Sequence, residues 1–196
     1  MSEQHPVIDL HTVLIRQAYR ASAGDSTALF QALLHVAEEV GMEAALRILE
    51  GCVTEKRLSW LNRALPRFAR TSNPLADAFR LFYVDYLGLS IPRDGELVES
   101  SSCRLAIRWW NPCPTLEACR RFGLDTRTVC RLAYHSPVQA FLEAVGTRLR
   151  FDRNYASLRP HAAYCEEIIT LEEPAPPCRL PVVGADALAG DSEGRW

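Results

Sequence analysis

The segment between residues 109 and 130 contains three of the seven cysteines and the clearest chemical signal in the sequence. A strand-like pattern ends at Trp109 and Trp110, and Pro114 suits the first position of a helix, where its missing N–H costs nothing. Cys113 would then be the N-cap, facing unpaired N–H groups and the positive end of the helix dipole. Both favour the thiolate, so we expect the pKa of Cys113 to fall below about 8.5. The pattern predicts a nucleophile or metal ligand; a small core residue is the alternative.

Two groups near this thiol could move protons. Glu117 lies one helical turn beyond Cys113 and could act as acid, base or metal ligand, or simply complement the helix dipole. His135 directly precedes a predicted helix start at Ser136 and Pro137, an edge position from which its ring could reach a pocket. Its ordinary pKa near 6.5 makes it the first choice for a general acid or base. Cys119 falls on the apolar side of the Cys113 helix and is interpreted as a core residue.

Further candidates lie near the predicted strands. His161, in the turn before the last strand, is the second choice for proton transfer and could also contact substrate. Cys165 lies on that strand, and the strand register decides whether it faces the core or a cleft. Arg153 could bind a substrate carboxylate or pair with Asp152 or Glu166. Trp109 and Trp110 could wall a ligand pocket, although one buried and one edge tryptophan is the commoner outcome.

A metal site is the alternative use of the thiols. The chain has no CxxC pair, which leaves a zinc ribbon or thioredoxin motif unsupported. Cys113, Glu117, Cys130 and Cys165 could still converge in space and hold zinc as a structural or regulatory ion. The first interpretation needs no cofactor.

The first ninety residues show helical periodicity. Apolar stripes predict helices ending at Gly24 and Gly41, a third over about residues 42–65 with a break near Gly51, and a fourth capped by Asn73 with Pro74 in its first position. Beyond Gly95 the period changes to two, which predicts strands at residues 103–109 and 149–152, the latter paired with residues 162–171. The stretch 126–134 is ambiguous between strand and helix.

These patterns predict an α+β protein: an N-terminal helical layer packed on a small twisted antiparallel sheet with two short inserted helices. We expect one domain over residues 1–171, with 1–90 mainly helical and 96–171 containing the sheet. Residues 172–196, rich in Pro, Gly and Ala, predict a tail that is poorly ordered or laid over the surface.

Composition limits the partners. A net charge of −2 offers no basic excess for nucleic acid or anionic lipid, and a single lysine, Lys56, excludes most lysine chemistry. No apolar run is long enough for a membrane span, and the N-terminus resembles no signal peptide. We therefore expect a cytoplasmic protein with reduced thiols. The predicted partner is a small-molecule substrate, with no nucleic acid and no membrane; the oligomeric state is open, a homodimer included.

The C-terminal half resembles the L-2-amino-thiazoline-4-carboxylic acid hydrolase family. The matching motifs are the CPxxEA segment at residues 113–118 with Gly123 closing its helix, the FDR strand at 151–153, and Cys165-Glu166 on the closing strand. The match covers about residues 74–171. It departs from the family where His135 and Val138 stand in place of a Cys and an Asp, and where His161 replaces a Gly; Cys130 could be the shifted cysteine.

The resemblance implies a helical layer against a small antiparallel sheet, similar to vinyl-reductase-type ligand domains, some of which hold zinc. It also implies hydrolysis of a cyclic amidine amino acid. A thiolate from Cys113 or Cys165 would attack the amidine carbon, and His135 or Glu117 would protonate the departing nitrogen and then activate water. Arg153 would hold the carboxylate. The missing Asp suggests a different nitrogen-rich or sulfur-containing metabolite, as in specialised metabolism. A zinc-containing ligand-binding module without catalysis and an interaction scaffold are the alternatives.

Overall fold

The computed structural model describes residues 9–22 and 25–172. Helices and a four-stranded antiparallel sheet make up these residues, which confirms the predicted α+β class. The predicted helix end at Gly24 and, apart from Glu172, the predicted tail lie outside the described residues. No helix in the described part of the chain is long and apolar enough to span a membrane.

The described helices occur in two groups along the chain, before and after the first two strands. A 3₁₀ turn (Leu65–Arg67) follows the third helix, and two π-helical segments, π1 (Arg80–Tyr86) and π2 (Cys130–Tyr134), continue helices without a gap. The α-helices are α1 (Leu10–Ala21), α2 (Thr27–Val40), α3 (Met42–Ala64), α4 (Pro74–Phe79), α5 (Pro114–Phe122), α6 (Thr126–Val129) and α7 (His135–Val145).

Local signals fix most helix ends where they were predicted. The Asn73 side chain accepts hydrogen bonds from the N–H groups of Leu75 and Ala76 at 3.0 and 3.3 Å, with Pro74 in the first position. Gly41 closes α2 with a φ of 85°, a left-handed conformation that glycine adopts without strain. The break predicted near Gly51 is wrong: α3 passes through it. Its neighbours Leu49, Cys52 and Val53 are buried, and their packing outweighs the glycine penalty of about 1 kcal/mol.

The chain forms two compact units that interleave in sequence. The first unit combines the described residues up to Lys56 with Cys113–Pro137. Its core joins α1, α2 and α3 to α5 and the helix that follows, through buried side chains including Ile15, Phe30, Leu33, Leu46, Cys119 and Val129. The second unit combines Arg57–Pro112 with the described residues from Val138 onward. The prediction that residues 1–171 form one domain stays a prediction.

The sheet belongs to the second unit. Its strands are β1 (Gly95–Ser100), β2 (Arg104–Trp109), β3 (Leu149–Asn154) and β4 (Cys165–Leu171), in the order β1-β2-β4-β3. Every neighbouring pair is antiparallel. The predicted strands around residues 103–109 and 149–152 and the pairing of the latter with 162–171 are thus confirmed.

One face of this sheet is packed into a core, and we call it the inner face. Directly opposed residues of antiparallel strands point to the same face, and residues two apart along a strand share it. The pairs Ile107–Glu167, Phe151–Ile169, Arg153–Glu167 and Trp109–Cys165 therefore all lie on the inner face. Their apolar members pack against α4, π1, α7 and the end of α3, through Leu61, Phe79, Phe82, Tyr83 and Phe141 among others.

The expectation of reduced thiols is wrong at one position. Cys103, next to the start of β2, is disulfide-bonded. The other described cysteines, Cys52, Cys113, Cys119, Cys130 and Cys165, carry thiols that are not in disulfides.

Candidate active site

Cys113 lies where the sequence predicts, at the N-cap of α5. Its backbone is extended, with φ −123° and ψ 107°, and Pro114 occupies the first helical position. The side chain is partly exposed and not disulfide-bonded. Its sulfur makes no capping hydrogen bond to the helix, and the lowered pKa expected for this thiol stays a prediction.

Glu117 is solvent-exposed and pairs with a residue of its own helix. Its Oε1 accepts a hydrogen bond from Arg120 Nη1 at 2.9 Å, one turn further along α5. Two thirds of the side chain, 67%, is exposed. This geometry matches the interpretation in which Glu117 complements the dipole in the first turn of the helix.

Two of the buried cysteines are core residues. Burial raises the pKa of the Cys119 thiol to about 11, although a hydrogen bond with Thr126 acts in the opposite direction. Burial also raises the pKa of Cys52. Both therefore hold little thiolate near neutral pH, which agrees with the predicted core role of Cys119.

The predicted setting of His135 is wrong, because no helix begins at Ser136. The helix begins earlier, where the Asp125 side chain accepts hydrogen bonds from the N–H groups of Arg127 and Thr128. It continues through π2, which contains Cys130, into α7. The wider π-helical turn lies just before Pro137 and accommodates its missing N–H inside a helix. His135 is thus a partly buried residue within a continuous helix, and the ambiguous stretch 126–134 is helical.

The two tryptophans have different environments. Trp109 is buried on the inner face, with ring centroids 4.8 Å from Tyr83 and 6.4 Å from Phe79. Trp110 is exposed, and its indole N–H donates to the Arg93 carbonyl at 3.0 Å. They therefore adopt the commoner arrangement of one buried and one edge residue.

Arg153 pairs with a carboxylate that the sequence analysis did not consider. Its Nε donates to Glu167 Oε1 at 3.0 Å, and its Nη2 donates to the same oxygen. The alternative in which Arg153 pairs with Asp152 or Glu166 is wrong. Successive residues of a strand point to opposite faces, so Asp152 and Glu166 lie on the outer face, away from the Arg153 side chain. Arg153 and Glu167 are both about nine-tenths buried. The arginine is thus committed to a protein carboxylate.

Tyr83 completes this group from π1. Its hydroxyl donates to the second carboxylate oxygen, Glu167 Oε2, at 2.9 Å. Burial raises the pKa of Tyr83 well above its usual value, and the Glu167 charge raises it further. The phenol is therefore protonated under all ordinary conditions and serves as a hydrogen-bond donor to the carboxylate. We refer to Tyr83, Arg153 and Glu167 as the buried triad.

Cys165 lies beside this triad. It is the first residue of β4, paired with Trp109 across the ladder and two residues before Glu167, so its side chain belongs to the inner face. It is partly exposed and not disulfide-bonded. The sequence left open which face Cys165 points to, and the strand register places it on the face that carries the buried triad.

His161 is exposed in the loop before β4, where its backbone N–H donates to the Leu158 carbonyl at 2.9 Å. The structure thus distributes the predicted site residues between the two units. Cys113, Glu117, Cys130 and His135 belong to the first unit; Trp109, Trp110, Arg153, His161 and Cys165 belong to the second.

The sequence places Glu167 on the same strand face as Cys165 but indicates a functional role for neither Glu167 nor Tyr83. Glu167 shares strand parity with Ile169 and Leu171, so a charge on an otherwise apolar face was a usable signal. Tyr83 lies four residues after Phe79, and its place in the apolar stripe concealed its polar role.

The zinc alternative requires several His, Cys, Asp or Glu side chains to lie close together. Among residues 9–22 and 25–172, no three or more His, Cys, Asp or Glu side chains come together in a group that could hold a metal ion. The zinc alternative at Cys113, Glu117, Cys130 and Cys165 stays a prediction.

Comparisons with protein-family models, with curated proteins and with solved structures found no match to this chain. The resemblance to the thiazoline hydrolase family rests on the motifs quoted above and stays a prediction.

Proposed function

We propose that this protein is a thiol-dependent hydrolase that opens a C–N or C–S bond of a small cyclic amidine or a related amino-acid-derived metabolite. The observation that carries the proposal is the placement of Cys165, a partly exposed thiol on the same sheet face as a buried arginine, carboxylate and phenol. Nucleophilic catalysis needs a sulfur within reach of both solvent and proton-transfer groups. Cys165 is partly exposed and shares a sheet face with Arg153 and Glu167 within one unit.

Cys113 is the second candidate nucleophile. The N-cap position of α5 favours its thiolate, but its nearest predicted acid or base, Glu117, is exposed and paired with Arg120. The other predicted proton-transfer group, His135, lies inside a helix. Cys113 therefore has less support as a nucleophile than Cys165.

The chemistry matches the thiol. A thiolate adds to the electrophilic carbon of an amidine, a ring heteroatom departs, and water releases the product as a ring-opened carbamoyl compound. Arg153 pairs with Glu167, and its predicted role in holding the substrate carboxylate stays a prediction.

The test is direct turnover of a defined compound. Full-length protein is incubated with L-2-amino-thiazoline-4-carboxylate, and the product is followed by mass spectrometry and by the appearance of a free small-molecule thiol. We expect a product heavier by one water, formed by the wild type and not by a variant carrying both Cys113→Ala and Cys165→Ala. Equal turnover by that variant, or no turnover of this and other cyclic amidines by the wild type, would refute the proposal.

A further inference from the structure

The geometry points to Cys165 as the attacking sulfur and Glu167 as its general base, an assignment that rests on the proposed function. The two residues are separated by one position on β4 and share the inner face. Their Cα atoms are therefore about 7 Å apart. Side chains two positions apart on one strand face stand side by side, so one water between the Cys165 sulfur and the Glu167 carboxylate would carry the thiol proton.

The carboxylate is held by two donors that fix its orientation. Arg153 donates to Oε1, and Tyr83 donates to Oε2. Each carboxylate oxygen has two acceptor positions, so one remains on Oε2 for a thiol or a water. Arg153 and Tyr83 are thus positioning residues for Glu167. Tyr83 also lies in π1, and π-helical geometry is rare and frequent at functional sites.

Trp109 supplies an independent indication of a ligand. It is 3% exposed, it faces Cys165 across the ladder, and its buried Nε1 makes no hydrogen bond of normal geometry. The indole N–H nevertheless lies close enough to the Tyr83 oxygen to lower that tyrosine's pKa against the effect of burial. A buried donor without a well-aligned acceptor is destabilising. An acceptor atom of a substrate, such as a carboxylate oxygen, would satisfy this donor beside the reacting sulfur.

The reaction balances with one water and no oxidant. Glu167 takes the proton of Cys165, and the sulfur forms a bond to the amidine carbon. The ring sulfur leaves with the proton carried by Glu167, which opens the ring and leaves an isothiourea on the Cys165 sulfur. Water then adds to the same carbon and gives one proton to Glu167. The bond to Cys165 breaks, and that proton returns to the sulfur.

The outer face of the same strand offers a matched control. Glu166 is adjacent to Glu167, but it points the other way and contacts Arg108 and Asn154 at 3.0 and 2.9 Å. With L-2-amino-thiazoline-4-carboxylate, we expect Glu167→Gln to lower kcat by about 100-fold or more with a smaller change in KM, as for loss of a general base. Glu166→Gln should retain wild-type turnover.

If Glu167→Gln does not fold, acid quenching of the wild-type reaction provides a second test, because it traps the covalent intermediate. Peptide mapping should then find the substrate-derived adduct on Cys165. An adduct on Cys113 with continued turnover, or wild-type kcat in Glu167→Gln, would overturn this assignment and leave the hydrolase proposal intact. Absence of any wild-type turnover would instead refute the proposed function, and the assignment with it.

Discussion

Arg153 lies directly opposite Glu167 in the β3–β4 ladder, and its guanidinium donates two hydrogen bonds to one oxygen of that carboxylate inside the core. A buried ion pair contributes little net stability when intact, because desolvation offsets the attraction. Removing one member leaves the other charged and buried, which is costly. The pair therefore links the stability of the sheet to the chemistry proposed beside it.

The first prediction concerns this pair. Glu167→Ala should lower the free energy of unfolding by about 3–5 kcal/mol, because Arg153 is left without its buried counter-charge. Urea denaturation measures the difference. Glu166→Ala, on the outer face of the same strand, should cost less, because the charges it leaves unpaired are nearer to solvent. Equal losses for the two variants would contradict the assignment of their side chains to opposite faces.

The second prediction concerns Tyr83. Tyr83→Phe removes the donor to Glu167 Oε2 and should cost about 1.5–3 kcal/mol at neutral pH, as for hydrogen bonds to charged groups. Tyr86→Phe, in the same π-helical segment, is the control and should cost less. Urea denaturation at neutral pH distinguishes them, and similar losses would argue against the Tyr83–Glu167 hydrogen bond.

The same tyrosine gives a third prediction, for alkaline pH. The pKa of Tyr83 is raised in the folded protein, so above about pH 10 the unfolded chain loses a proton that the native state keeps. The contribution of protonated Tyr83 to the free energy of unfolding is complete below that pH. It is lost as the pH rises toward the pKa of Tyr83 in the folded protein. Wild-type stability should fall more steeply above pH 10 than that of Tyr83→Phe. Parallel curves from denaturation at a series of pH values would show that Tyr83 is not the group responsible.

The fourth prediction compares two glycines. A Cβ at Gly95 would lie 2.5 Å from the Arg108 carbonyl oxygen and 2.5 Å from the Trp109 ring, whereas a Cβ at Gly51 meets nothing within 4 Å. Gly95→Ala should therefore destabilise by about 1–3 kcal/mol, as overpacking does. Gly51→Ala should stabilise α3 by about 0.5–1 kcal/mol. Thermal unfolding gives the sign of each change, and a stable Gly95→Ala variant would contradict the position of Trp109 over β1.

Sequence patterns predicted the fold well where local chemistry determines it. Asn73 with Pro74, Cys113 with Pro114, and Gly123 each act within their own turn, so the residue types alone locate the helix ends. Ser136 with Pro137 carries the same signal and fails. The cap at Asp125 begins the helix earlier, and π2 absorbs the proline within it.

The site was harder to predict because its contacts are tertiary. Arg153 was identified, but its partner depends on strand parity in a ladder whose register the sequence does not state. Tyr83 reaches Glu167 across 84 residues of sequence, a contact that no local pattern encodes. Cys165 was named together with Cys113, and only the β2–β4 register distinguishes its surroundings from those of the helix cap.

Alkylation during turnover tests the requirement for a thiol most directly. Full-length protein is treated with limiting iodoacetamide, and residual hydrolysis of L-2-amino-thiazoline-4-carboxylate is compared with the modified fraction of each cysteine from peptide mapping. We expect activity to fall in proportion to modification of Cys165, and added substrate should slow both this modification and the loss of activity. Cys119 should react slowly because its pKa is about 11. Full activity after complete modification of Cys165 and Cys113 would contradict the thiol mechanism.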